Sequence, residues 1–261
     1  MASRITECCL NINPIEKMRY CSILFFFLLP SQVFASVQDS IVEHIFNEMY
    51  NQHYEQAEEM LQANKSNIDS VFYAVLAVDM SYWKNVTGTN NPDYQTFETD
   101  LQQFSPTNPT SSTQQAIRLV TLSYQLRYEL KRFKLLKAIS TRQQTKDLFN
   151  TLKTNERLSP EQQELYDLYS ALFLYFDNYL KSFFVADKKE NCDEALEKMT
   201  NLYASENRIT KTLVAYFLGT TWLKYENNPE NAINYFRWLH KNYPENIKFK
   251  ELLTECTGHL K

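Results

Sequence analysis

Residues 213–244 read LVAYFLGTTWLKYENNPENAINYFRWLHKNYP, and the spacing of small and bulky side chains in this stretch is typical of a pair of packed helices. Gly219 lies three residues before Trp222, and Ala232 lies four residues before Phe236. A small residue lets two helices cross closely, and a bulky residue fills the space beside the crossing. The stretch therefore predicts two helices packed against each other as a hairpin.

The predicted turn of this hairpin contains Asn227, Asn228 and Pro229. Asparagine is a favourable N-cap, and proline suits the first helical position because its missing N–H would have no partner there. We therefore expect Asn228 to cap the second helix and Pro229 to begin it.

The order of these residues resembles the tetratricopeptide repeat, whose two helices carry L-G-x2-Y and A-x3-F and are followed by a proline. Ala215 stands where that family has tryptophan, and the chain between the two helices is one residue longer, which we interpret as turn length. The resemblance implies a superhelix whose concave face, lined by the first helix of each pair, holds peptides or partner proteins. Its signature residues are Leu218, Gly219, Trp222, Ala232, Phe236 and Pro244.

Weaker copies of the second-helix pattern occur earlier, at Ala57 with Leu61 and at Ala195 with Met199. Between them no pair of small residues has the repeat spacing, so the middle of the chain is predicted to be helical rather than clearly repeated. We expect one all-α domain, an α-α superhelix (TPR-like solenoid) of about ten helices over residues 36–261. The clearest repeat covers residues 212–245, and a capping helix covers residues 246–260.

Two long helices are predicted in the middle of this domain. The first runs from Thr113 to about Ala138, with Leu135 on its apolar stripe. The second follows Ser159, which is a good cap, and runs to about Ala186.

Composition and motifs argue against an enzyme. Three glycines among 261 residues disfavour phosphate-binding loops and turn-rich β folds. No nucleophile motif is present, and the four histidines have no zinc-ligand spacing. We expect no catalytic residues, no metal site, no cofactor and no enzymatic activity. The histidines are His44, His53, His240 and His259.

The N-terminus has the layout of a secretory signal peptide. The apolar run CSILFFFLL at residues 21–29 follows Arg19 and precedes a small-residue site that ends at Ala35. We predict that translation begins at Met18 and that cleavage follows Ala35. The run is too short for a bilayer of about 30 Å, and an uncleaved membrane anchor is the alternative.

Export would place the protein in the periplasm or outside the cell. Its Tyr, Asn and Lys usage resembles that of exported tetratricopeptide-like proteins of Bacteroidota, which implies the periplasm. Loss of residues 1–35 removes three basic and two acidic residues and leaves a net charge of −5. A mildly acidic chain argues against nucleic-acid binding, and no further apolar stretch predicts stable membrane insertion after cleavage.

Two cysteines remain after cleavage, Cys192 and Cys256. An oxidising compartment would allow a disulfide between them. In a solenoid they would lie several helices apart, which favours two separate buried thiols.

A candidate partner-binding face lies on the first helix of the clear repeat. Tyr216, Thr220 and Lys224 recur there at helical spacing, on a face different from that of Gly219 and Trp222. The alternative is that they pack on the preceding repeat or face water. We predict an exported, non-enzymatic protein that binds a partner protein or peptide as a scaffold or adaptor in the cell envelope. The alternatives are a structural subunit or assembly factor and, third, an enzyme with a site formed across helices.

Overall fold

In the computed structural model, the described residues are 30–88, 90–152, 158–181 and 186–259, with side chains described at 40–88, 90–151, 158–181 and 186–259. They form eleven α-helices and no strand, which confirms the predicted all-α superhelix with one helix more than expected. The helices are α1 (Pro30–Tyr50), α2 (Tyr54–Ala63), α3 (Ser70–Tyr82), α4 (Tyr94–Phe104), α5 (Ser112–Lys131), α6 (Leu135–Leu152), α7 (Pro160–Tyr179), α8 (Lys188–Leu202), α9 (Arg208–Lys224), α10 (Pro229–Asn242) and α11 (Ile247–His259).

The chain divides into two units, Met1–Ile41 and Val42–Lys261. The predicted export signal belongs to the first unit, and residues 1–29 of it lie outside the described residues. The architecture below is that of the second unit. Within the described part of the chain, no helix combines the length and apolarity needed to cross a bilayer.

Sequence-adjacent helices pack as hairpins, α3 with α4, α5 with α6, α7 with α8 and α9 with α10. The first helices of these hairpins also pack on each other in chain order, α3 on α5, α5 on α7 and α7 on α9. The middle of the chain therefore keeps the hairpin geometry although it lacks the small-residue signature. The inner helices α3 and α9 are buried along most of their length, because they have neighbours on several sides.

The hairpin of α9 and α10 shows how the opening stretch folds. The turn is closed by Asn227, which has a left-handed backbone with φ of 50°, a conformation that asparagine tolerates. The side chain of Asn228 accepts a hydrogen bond from the backbone N–H of Asn231 at 3.0 Å. Pro229 begins α10. Gly219 faces the buried ring of Phe236.

The two long helices predicted in the middle are shorter than expected. The first ends at Lys131, because Phe133 takes a left-handed φ of 54° and Lys134 N–H bonds to the carbonyl of Glu129. This is the hydrogen-bond pattern of a helix C-terminus, here formed by a phenylalanine instead of the usual glycine. Leu135 consequently begins a new helix and lies in solvent. The second helix ends at Tyr179 rather than near Ala186.

The array closes on itself, because the turn between α1 and α2 packs on the turn between α10 and α11. The side chain of Asn246 donates a hydrogen bond to the carbonyl of Tyr50 at 2.7 Å. The ring of Tyr50 lies 5.3 Å from that of Tyr243 and 5.8 Å from that of Phe249. The C-terminal segment, predicted to cap the last repeat, thus also contacts the first hairpin.

His53 lies at this closure between two carboxylates. Its ring nitrogens lie 2.7 Å from a carboxylate oxygen of Glu48 and 3.0 Å from one of Glu245. These hydrogen bonds, that to Glu48 first, raise the pKa of His53 above its ordinary value. The stabilisation should therefore be complete below about pH 6.5, the pKa of an unfolded histidine, and should be lost as pH rises through the higher folded pKa.

We expect the free energy of urea unfolding to fall across that window in the wild type and to change less in His53→Gln. The exposed His44 supplies the control, since His44→Gln should keep the pH dependence of the wild type. Equal pH dependence in all three proteins would contradict the role given to His53.

Candidate functional site

A pocket of about 430 Å³ lies on the inner side of the helical array. The first helices of three consecutive hairpins, α5, α7 and α9, supply most of its wall, and α3 and α11 complete it. The wall is largely aromatic and aliphatic. Its polar and aromatic lining includes Tyr82, Arg127, Lys131, Tyr216, Thr220 and Lys224.

The structure brings all three residues of the predicted partner-binding face to this pocket. Tyr216 packs against the ring of Trp83 at 5.1 Å, and burial raises the pKa of its hydroxyl to about 12, so the hydroxyl is neutral and able to donate. The Thr220 hydroxyl is buried and has no hydrogen-bond partner among the described residues. Lys224 forms an ion pair with Glu255 of α11. The three side chains thus differ in what they offer a ligand.

Arg127 of α5 is one of the cations of the pocket wall, and no motif or spacing in the sequence indicates its role. Its guanidinium carbon lies 4.7 Å from the ring centre of Tyr82, 4.8 Å from that of Phe217 and 5.3 Å from that of Tyr124. Arg127 as a whole residue is half-buried, and its guanidinium has no hydrogen bond or ion pair with any described residue. A guanidinium carries five N–H donors, so these donors are available to a ligand.

A buried carboxylate, Asp79 of α3, lies behind this wall. It accepts hydrogen bonds from the hydroxyl of Tyr50 at 2.7 Å and from that of Tyr124 at 2.5 Å. Burial raises the pKa of Asp79, while these two hydrogen bonds and the charge of Arg127 act in the opposite direction. Because the carboxylate is occupied by two tyrosines, it holds the wall in place and leaves the guanidinium donors free.

Two further cations stand at the pocket, Lys131 and Lys248. Lys131 donates to the carbonyl of Val86 at 2.8 Å, at the end of the π-helical turn that follows α3. Partial burial of its ammonium group lowers the pKa of Lys131, and the charges of Lys248 and Arg127 lower it further. The described lining contains four cations and no Asp, Glu, His or Cys. The pocket can therefore hold a ligand with an apolar body and an anionic group.

The other residues weighed from the sequence lie apart from this pocket. Cys192 on α8 and Cys256 on α11 are buried free thiols, so the disulfide that the sequence left open is not formed in this structure. His53 belongs to the closure contact. In the described part of the chain no group of three or more His, Cys, Asp or Glu side chains is placed to hold a metal ion.

The pairwise packing of the helices is compatible with a helical-repeat fold. Comparison of the chain with family models, curated proteins and solved structures gives no significant match.

Proposed function

We propose that this chain is an exported, non-enzymatic binding protein of tetratricopeptide type, and that its inner pocket receives a segment of a partner protein. The proposed segment carries an aromatic or aliphatic side chain next to a carboxylate. The observation that carries the proposal is Arg127, a charged group held among aromatic rings without an acceptor from the described residues.

The position of the pocket supports binding of a peptide. It is lined by the first helices of consecutive hairpins, the surface that tetratricopeptide proteins use for peptides. Its volume lies within the range of about 300–1,000 Å³ that is usual for ligand sites. A hydrogen-bonded carboxylate on Arg127 would leave the apolar part of the segment against Tyr216 and the neighbouring rings.

The chemistry of the lining favours binding over acid–base catalysis. General acids and bases with a pKa near neutrality are most often His, Asp or Glu, and the described lining has none of these. The export signal predicted over residues 1–35 supports a role in the cell envelope, where the chain would act as a scaffold or adaptor.

The proposal is tested by pairing a change in the ligand with a change in the protein. Short acetylated peptides that end in phenylalanine are compared as the free acid and as the C-terminal amide, by fluorescence anisotropy. The wild type should prefer the acid. In Arg127→Met this preference should fall by about 10–100-fold, since a hydrogen bond to a charged group contributes about 1.5–3 kcal/mol.

Arg237→Met serves as the control, because Arg237 is exposed on α10 and is absent from the pocket lining. It should keep the preference of the wild type. Equal binding of acid and amide to the wild type, or the same ratio in both arginine variants, would contradict the proposed role of the pocket. The ratio within each variant cancels any general loss of folded protein.

A further inference from the structure

An apolar surface faces solvent at the turn between α5 and α6. It consists of Phe133, Leu135, Leu136 and Ile139, whose exposed fractions are 85%, 58%, 86% and 62%. We call these four side chains the α5–α6 tip. Single exposed apolar residues are normal in proteins, but four within seven residues of chain form a contiguous patch of the kind that marks an interaction site.

The first turns of helix α6 are oriented so that Leu135, Leu136 and Ile139 face solvent, whereas Phe149 near its other end stacks on Tyr166 of α7. The inward face beside the exposed side chains consists of Ala138, Thr141 and Thr145, all of which are buried. A helix that served packing alone would turn its leucines and isoleucine inward and its threonines outward. The orientation of α6 therefore keeps the apolar side chains of the tip available for another partner.

The backbone of the turn adds a second observation. Phe133 has a φ of 54°, a left-handed conformation that is strained for a bulky residue and that glycine adopts freely. Strained residues of this kind cluster at functional sites. Glycine or asparagine would close the same turn with less strain. The turn geometry therefore does not explain the phenylalanine, and we infer that its exposed ring has a role of its own.

The segment that carries the tip is strongly basic. Between Glu129 and Asp147 the sequence contains six basic residues and no acidic one, although the whole chain has a net charge of −4. Two of the six form ion pairs, Lys134 with Glu98 and Arg142 with Asp177. Three of the others, Arg132, Lys137 and Lys146, have no ion pair in the described part of the chain.

We propose that the α5–α6 tip docks on a lipid surface that carries anionic headgroups. The apolar side chains would enter the boundary between headgroups and acyl chains, and the basic residues beside them would contact the lipid phosphates. A protruding turn suits a fluid layer, which closes around side chains, whereas a protein partner would need a preformed hole for each of them. This proposal does not depend on what the inner pocket binds.

The test compares variants of the full chain in their partition onto vesicles. The tip variant is Phe133→Gly with Leu136→Gln, in which glycine fits the existing φ and both positions are exposed, so the fold should be retained. The control is Leu180→Gln with Ile247→Gln, which removes two exposed apolar side chains from other turns of the structure. The apolar run at residues 21–29 is present in the wild type and in every variant, so a difference in vesicle binding between variants reports on the tip alone.

We expect the wild type and the control to bind vesicles of phosphatidylcholine with phosphatidylglycerol about tenfold more tightly than the tip variant does. Pure phosphatidylcholine should bind all three weakly. A Phe133→Trp variant should show additional quenching by lipids with brominated acyl chains, relative to the wild type, which would place the side chain within the layer.

Several results would overturn the proposal. Equal partition of the tip variant and the control onto vesicles would exclude the tip as the lipid contact. Equal binding to vesicles with and without phosphatidylglycerol would exclude a role of the basic residues. A tip variant that loses self-association in light scattering but binds vesicles normally would assign the surface to a second copy of the chain. Binding of acidic polypeptides but not of vesicles would assign it to a protein partner.

Discussion

Replacing Trp83 by alanine is expected to lower the free energy of unfolding by about 3–5 kcal/mol, the usual loss when a large buried aromatic side chain is truncated. Trp83 is 2% exposed and lies at the meeting point of the two ends of the array. Its ring centre is 5.6 Å from that of Tyr50, 5.1 Å from that of Tyr216 and 5.5 Å from that of Phe249. One truncation therefore removes contacts to α1, α9 and α11 at once.

The measurement is urea unfolding, with amide hydrogen exchange to locate the effect. Trp238→Ala is the matched control, because Trp238 is half-buried and packs beside Tyr203, away from the closure contact. Trp238→Ala should lower the free energy of unfolding less than Trp83→Ala does, and it should leave amide hydrogen exchange in α1 and α11 unchanged. In Trp83→Ala, exchange should accelerate at Tyr50 and along α11. An equal loss in both variants, or an effect confined to α3, would contradict the role of Trp83 in closure.

The fold was predictable where the sequence carries local signals. Ser159 and Gln162 form the reciprocal hydrogen bonds of a capping box, at 3.2 Å and 3.1 Å, and the helix begins where this pattern places it. The short helix α4 likewise begins after the N-cap Asp93 and ends before a proline-rich loop. Signals of this kind act within a few residues and depend little on the rest of the chain.

The turn at Phe133 could not be predicted, because no glycine, asparagine or proline marks it. Helical periodicity through Leu135 matched a continuous helix, and tertiary packing overrode it. The threonine face of α6 fits the body of the protein, so the chain breaks one helix and leaves leucines in water. A conflict between local pattern and final structure is a feature expected of functional surfaces.

The pocket was predictable only in part. Tyr216, Thr220 and Lys224 share one helix, so their common face follows from spacing. Asp79 and Tyr124 are 45 positions apart, and the ring of Phe217 reaches Arg127 from a different helix. The closure of the array could not be predicted from the sequence either, since Asn246 and Tyr50 are 196 positions apart. A quasi-linear solenoid predicts neighbours along the chain but not a contact between its ends.

The second large effect is expected at Gly219, the small residue of the α9–α10 crossing. A Cβ atom at this position would lie 2.9 Å from both Cε1 and Cζ of Phe236, which real Cβ atoms essentially never do. The ring of Phe236 is fully buried, so a shift of the ring would displace the side chains packed around it. Overpacking of this kind costs about 1–3 kcal/mol for an added methyl group, so Gly219→Ala should be destabilised despite its better helix propensity. Gly219→Val, with a larger and stiffer side chain, should lose more.

Gly258 supplies the control, because a Cβ atom there would meet nothing within 4 Å. Gly258→Ala should be neutral or gain up to about 1 kcal/mol from helix propensity. If the ring of Phe236 is the group that clashes with a side chain at position 219, Phe236→Leu should reduce the destabilisation caused by Gly219→Ala. The loss in free energy of unfolding of the double variant should then be smaller than the sum of the two single losses by about 1 kcal/mol or more. Additive losses would mean that the alanine clashes with a group other than Phe236. Urea unfolding of the wild type, the two single variants and the double variant measures this coupling. A positive coupling would establish that the glycine permits the close approach of α9 and α10.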